Sequence, residues 1–181
     1  MSSDGTTPWQ RMAMGDLCSF KGGGAFKQEL QGRSEGDIPF IKVSDMNDPA
    51  NSRYIRTAKH WVEQGDLESI KSKPHPAGAV VFAKIGEALK ANRFRVLTQA
   101  TLIDNNMMAA HAHEDVVDSQ FLFYFLQGAD LPAQATGSAL PYLRARDLKK
   151  LPVEIPERPE QRRIAWVLGS LDDKIELNRR I

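Results

Sequence analysis

Residues 160–181, EQRRIAWVLGSLDDKIELNRRI, constrain this chain more than any other stretch. Ile164, Leu168, Leu171, Ile175 and Asn178 follow one another at spacings of four, three, four and three, which is a heptad seam on a helix that Pro159 opens from its first turn. Such a seam must be covered. Either a second helix lies along it, or the helix packs on its own domain, and about two heptads leave both open. Asn178 on the seam favours one register at some cost in stability. No stop signal precedes Ile181, so a truncated helix and a true end both fit.

Ahead of that helix stands enough chain for one core. A protein of 181 residues buries roughly 70% of its unfolded surface. With 41% apolar and 26% charged residues it has the make-up of a folded domain. We therefore expect a domain over residues 1–156 and a partner helix over 157–181. No window approaches 18 uninterrupted apolar residues, and Met1 to Gln10 lack a basic flank leading into an apolar stretch, so neither a membrane span nor a secretion signal is expected. Cys18 is the lone cysteine, which excludes an internal disulfide and suits a reducing cytoplasm. The net charge of +1 hides an uneven distribution. Residues 71–95 hold Lys71, Lys73, Lys84, Lys90, Arg93 and Arg95 against Glu87, whereas residues 104–131 hold Asp104, Glu114, Asp115, Asp118 and Asp130 and no Lys or Arg. A phosphate-binding face and ordinary solvated charge both account for that.

Patterning along the chain predicts a mixed α+β domain. Strands are expected at Trp9 to Met14, Pro39 to Met46, Gly78 to Ile85, Arg95 to Thr98 and Leu102 to Ala110. Lys21-Gly22-Gly23-Gly24 reads as a conformationally free loop. Thr57 to Ile70 is expected to be helical in part, burying Trp61, Val62 and Leu67. Asp118 caps a helix to Gln127 whose apolar face is Phe121, Leu122, Phe125 and Leu126. A helical turn at Arg144 to Lys150 then leads to the extended segment LPVEIPE.

The residue sets that chemistry requires are missing. The sequence has no G-x-x-x-x-G-K-[ST] phosphate loop, no G-x-S-x-G elbow, no H-E-x-x-H pair and no C-x-x-C pair. His111-Ala112-His113-Glu114-Asp115 lacks a distant third ligand and reads as a solvated turn. Asp147-Leu148-Lys149 and Asp172-Asp173-Lys174 match a nuclease tripeptide but fall on predicted helices. Asp104-Asn105-Asn106-Met107 is not the Asn-Pro-Pro-aromatic motif of an adenine methyltransferase. No catalytic residue, metal or cofactor is expected.

The order of the segments says more than any one of them. Trp9 with Gly15-Asp16-Leu17, the loop Gly22 to Phe26, IPFIKVSDM at 38–46, GAVVFAKIG at 78–86, Asn105-Asn106-Met107, Gly137-Ser138, and LPVEIP at 151–156 running into EQRRIA at 160–165 together resemble a type I restriction-modification specificity subunit. The resemblance covers Trp9 to Ile181. It implies a subunit without catalytic residues that selects double-stranded DNA for a modification (methyltransferase) subunit and a restriction subunit. Members usually carry two recognition domains separated by two long antiparallel helices. This sequence has one of each and looks like half of such a subunit, and pairing through Ile164, Leu168, Leu171 and Ile175 would make a homodimer reading inverted half-sites. An interaction module that occupies a methyltransferase without selecting DNA, and a fragment of a fused restriction-methylation enzyme, are the rivals.

For DNA contact the candidates lie near loops and have side chains suited to base edges or phosphates: Lys21, Lys27, Gln28, Lys84, Lys90, Asn92, Arg93 and Arg95, with Ser138, Tyr142 and Arg144 around the Gly-Ser-Ala-Leu-Pro turn.

Overall fold

The computed structural model describes residues 9–137 and 139–179. Its centre is a five-stranded sheet in the order β2-β9-β6-β7-β4, built from β2 (Cys18–Gly22), β9 (Met107–Ala112), β6 (Val80–Ala83), β7 (Phe94–Leu97) and β4 (Tyr54–Ile55). All neighbours are antiparallel except β4 and β7. The period of two in VVFA and MMAA separates its faces. Val80, Phe82, Met108 and Ala110 join a core under the helix α4 (Ser119–Gly128). Val81, Met107 and Ala109 join a second core with Ile41, Ile55 and Ile103.

A three-stranded sheet covers that second face, in the order β5-β3-β8 from β5 (His60–Val62), β3 (Ile38–Ile41) and β8 (Leu102–Ile103). Its outer side holds a third cluster with Phe40, Val62 and Ile70, on which Phe26 stacks at 3.7 Å between ring centroids. The strand β1 (Gln10–Ala13) pairs antiparallel with β10 (Pro152–Ile155), tying the start of the domain to the base of the last helix. Four single-turn helices complete the body: α1 (Met14–Leu17), α2 (Leu67–Ile70), α3 (Glu87–Lys90) and α5 (Ala145–Leu148). The α+β expectation holds, and Cys18 is fully buried in the core.

Several boundaries differ from expectation. The strand from Pro39 stops at Ile41, and Val43–Asn47 forms a 3-10 turn. Buried Asp45 is the cause: its carboxylate accepts from the Lys42 and Lys59 amides and bends the chain. Residues 57–70 are helical only from the 3-10 turn Gln64–Asp66 into α2, because His60–Val62 completes the edge of the second sheet. Of its expected core residues only Val62 is buried, while Trp61 and Leu67 are half-buried. Leu102 to Ala110 splits into β8 and β9 in different sheets, turned by Asp104 accepting from the Asn106 amide. On α4 it is Phe123, not Phe125, that completes the buried set. The glycine run is not free either: the Gly23 and Gly24 amides donate to Met107 and Ile103 carbonyls, pinning it across that turn.

The last helix, α6 (Arg158–Asn178), docks on α4 by a face the heptad pattern does not mark. Its buried residues are Gln161, Ala165 and Gly169. Gln161 Oε1 accepts from the Asp118 amide at 2.8 Å, and its Nε2 donates to the Pro156 and Val116 carbonyls at 2.9 and 3.3 Å. Tyr124 donates to Asp172 at 2.8 Å. Gly169 admits the nearly buried Arg53, which donates to Gln120 at 2.8 Å and lies over the rings of Tyr54, Phe123 and Tyr124. With that face satisfied, Leu171 and Ile175 stay 52% and 48% exposed. The helix therefore packs on its own domain, with Ile164 against the core, and still presents Leu168, Leu171 and Ile175.

Candidate nucleic-acid interface

One end of the central sheet gathers three of the candidates. Lys84 follows β6 directly, and its backbone is held on both sides: its amide donates to Asn106 and its carbonyl accepts from Leu143. A Cβ added to Gly22 would meet the Lys84 ammonium at 3.2 Å, so the end of β2 is bare where the lysine crosses it. Beside Lys84, Ile85 bridges to Tyr142, which in turn bridges to Thr136 across the turn containing Gly137. Arg144 lies over the Tyr142 ring, 4.8 Å from its centroid, and donates to the phenol oxygen. A lysine, a phenol and a guanidinium thus share one edge, anchored by backbone. Ser138 lies outside the described residues.

The other candidates go elsewhere. Lys21, the penultimate residue of β2, lies near His75 and His111 and adds to burial, the larger cause, in lowering both imidazole pKa values. Lys27 pairs with Glu29 at 3.7 Å, and exposed Gln28 starts a 3-10 turn whose Leu30 is buried in the outer cluster. Lys90 pairs with Glu87 on α3. Two others bond the scaffold. Asn92 has a φ of 46° and donates to the Ala129 carbonyl at 3.1 Å, so it stitches a turn to the end of α4. Arg95 donates to the Asn51, Phe94 and Met46 carbonyls, and burial with the Arg93 charge lowers its pKa. These side chains hold scaffold. Arg93 bonds Asn47, and with Arg56 and Arg179 it lines a separate groove of about 700 Å³. Sequence reading missed Arg56, which follows β4 directly, one residue ahead of the stretch expected to be partly helical. Within the acidic run, Asp104, Asp118 and Asp130 accept from backbone amides, while Glu114 and Asp115 are exposed.

His111 is not in a solvated turn but in β9, half-buried, with Nε2 2.8 Å from Nδ1 of His75. Among the described residues no three potential ligands converge on a metal position. His75 is 3% exposed, and burial first, then His111 and Lys21, holds its pKa at about 4. An unfolded histidine titrates near 6.5, so the unfolded chain takes up this proton first. Stability is then intact above about pH 6.5 and falls by about 1.4 kcal/mol per unit toward pH 4, on the order of 3 kcal/mol in all. Urea midpoints at pH 7 and 4.5 check this. His75→Gln should lose less between them than the parent, and an equal loss would remove His75 as the source.

Comparison with known proteins adds the context. The model of a family described as the type I restriction modification DNA specificity domain matches residues 6–181. Among curated proteins, the type I restriction enzyme MjaIX specificity subunit of Methanocaldococcus jannaschii is 25% identical over 93% of this chain and 39% of its own length. The MjaVIII specificity subunit of the same organism is 20% identical over 96% and 38%. Among solved structures, a chain of a type I R-M system superposes with a TM-score of 0.73 at 18% identity, covering 99% of this chain and 42% of that one. The HsdS subunit from Thermoanaerobacter tengcongensis superposes at 0.69 and 19%, covering 99% and 41%. The chain spans about two fifths of the length of each of these proteins.

Proposed function

The chain belongs to the type I restriction-modification DNA specificity domain family, and from that premise we propose that it is the DNA-reading module of such a system. It binds double-stranded DNA in the cytoplasm, carries no cofactor, catalyses nothing itself, and directs a modification subunit and a restriction subunit to a bipartite target. The observation that carries this is the edge of Lys84, Tyr142 and Arg144, mounted on strand and turn backbone at one end of the sheet. Rigid placement lets cationic donors distinguish base edges as well as meet phosphates.

Two copies act together in this reading. The seam is the same in both directions: Ile164, Leu168, Leu171 and Ile175 are symmetric in type and spacing about a point between Gly169 and Ser170, with Ile164 half-buried and the other three exposed. An antiparallel second copy then sets Ile164 against Ile175, Leu168 against Leu171, and Glu160 against Arg179. Such an interface is isologous, and it turns one reader into two facing inverted half-sites.

Co-expression with the modification subunit in a methylation-free host, followed by long-read mapping of modified adenines, tests the proposal. An inverted, bipartite motif is expected. Lys84→Ala or Arg144→Ala should either relax one position of it, at about 1–3 kcal/mol for a base contact, or weaken binding uniformly and reduce the salt slope by about one for a phosphate contact. If a stable protein complex forms and no motif appears, the chain is an interaction module and the DNA-reading assignment fails. If both variants leave motif and salt slope unchanged, the edge has been misplaced.

A further inference from the structure

Six of the large apolar side chains that the described residues leave exposed lie on α6, and Trp9 precedes β1. Leu140, 57% exposed, stands instead beside the edge of Lys84, Tyr142 and Arg144. A lone exposed leucine is ordinary on a protein surface, but this one is held in place. Its turn is closed at the base, where the Thr136 and Tyr142 amides each donate to the other's carbonyl at 3.0 and 2.9 Å. One residue on, the Pro141 carbonyl accepts from the Gly86 amide at 2.8 Å. Gly86 and Gly137 take positive φ values of 71° and 93°, and a Cβ on Gly137 would stand 2.8 Å from the Leu140 carbonyl oxygen. The Leu140 side chain reaches over Gly86, 3.5 Å from the place of a Cβ there and two residues beyond Lys84.

A side chain with no polar atom cannot bind a phosphate or a guanine edge, the partners suited to Lys84 and Arg144. Guanine offers its O6 and N7 acceptors in the major groove, and a leucine carried on the same edge meets the same groove. The apolar feature that a base pair presents there is the C5-methyl group of thymine. We propose that Leu140 reads that methyl, so that a thymine stands in the target half-site beside the position met by Lys84 or Arg144. This rests on the reading of that edge as the DNA interface and names the base feature its apolar side chain takes. Burying one methyl against another removes apolar surface of both partners from water, worth about fourfold in affinity. A wedge that unstacks bases has to project between them, whereas Leu140 lies back on Gly86.

Deoxyuridine is thymine without the methyl and pairs identically with adenine, so it isolates the contact. The complex of this chain with its modification subunit is titrated, by fluorescence anisotropy, with duplexes carrying the motif that adenine mapping yields, each thymine replaced in turn by deoxyuridine. We expect a thymine in the half-site at which replacement weakens parental binding about fourfold. Leu140→Ala should weaken binding to the thymine duplex by a similar factor and be indifferent to deoxyuridine at that position. Thermal melts of parent and variant should coincide, because the side chain is exposed. A variant that responds to deoxyuridine wherever the parent does, a parent that ignores deoxyuridine at every position, or a motif without thymine overturns the methyl contact and leaves the DNA-reading edge standing. Equal weakening of the variant on both duplexes, with the parent insensitive to the methyl, overturns it likewise. A complex that selects no sequence overturns the reading of the edge, and the contact with it.

Discussion

Gly23→Ala should lower the unfolding free energy by about 3 kcal/mol, a drop in Tm of roughly 6–12 °C for a chain this long. A Cβ at Gly23 would stand 2.0 Å from the Asp104 carbonyl oxygen and 2.2 Å from that of Ile103. Both are backbone atoms of the turn joining β8 to β9, which belong to different sheets, so neither can yield without parting the two layers. The amide bonds from Gly23 to Met107 and from Gly24 to Ile103 would go with the displacement. Gly65→Ala is the control, since its added Cβ meets nothing within 4 Å; it should stay within about 0.5 kcal/mol of the parent. Urea unfolding of the two variants compares them. A function readout follows from the same geometry: Lys84 crosses Gly22 one residue away, so DNA affinity should fall in Gly23→Ala even at temperatures where it remains folded. Equal stability in both variants would mean that the strap is looser than its packing indicates.

Where local sequence and tertiary structure agree, the sequence was legible. GAVVFAKI has no competing use for its side chains, and Val80–Ala83 is a buried central strand. Asp118 precedes an apolar periodic run, and its carboxylate accepts from the Gln120 and Phe121 amides as a cap should. The resemblance carried the family, and periodicity carried the helix α6. What was hidden depends on partners remote in sequence. Nothing local in PFIKVSDM reveals that Asp45 will take the Lys59 amide and end the strand. Arg95 in FRVL has the appearance of a surface cation until Asn51 and Met46 carbonyls arrive from another loop to occupy it. The triple glycine carried the opposite error: glycines signal freedom and close approach equally, and only the position of the Asp104 turn decides between them. For the candidate interface, a list of residues near loops gathered the edge of Lys84, Tyr142 and Arg144 together with Asn92 and Arg95, which bond scaffold carbonyls, because residue type alone does not say whether carbonyls or solvent will surround a side chain.

Gln161→Leu is expected to destabilise the chain by about 3 kcal/mol and, at the level of function, to blur the spacing between half-sites. Gln161 satisfies the Asp118 amide, at the start of α4, together with the Val116 and Pro156 carbonyls. A leucine of similar length fills the space and orphans all three groups, each costing about 1–3 kcal/mol where water cannot replace it. Gln161→Glu separates polarity from packing: it keeps the acceptor for Asp118 and sets a carboxylate against two carbonyls, so it should be at least as destabilising despite being closer in shape. Tyr124→Phe, which loses only the bond to Asp172, should cost about 1 kcal/mol. These contacts fix the direction of α6, whose 21 residues make a lever about 30 Å long. A swing of roughly 10° at its base would move the far end by roughly 5 Å, more than the 3.4 Å rise per base pair. A reader paired through such a helix holds its half-sites at one separation only while the base is locked. Adenine maps from Gln161→Leu should therefore show the same half-site sequences at more than one spacing, or no modification at all, while binding of the chain to a single half-site is retained. Retention of one sharp spacing would mean that the partner's helix, and not the Gln161 lock, sets the distance.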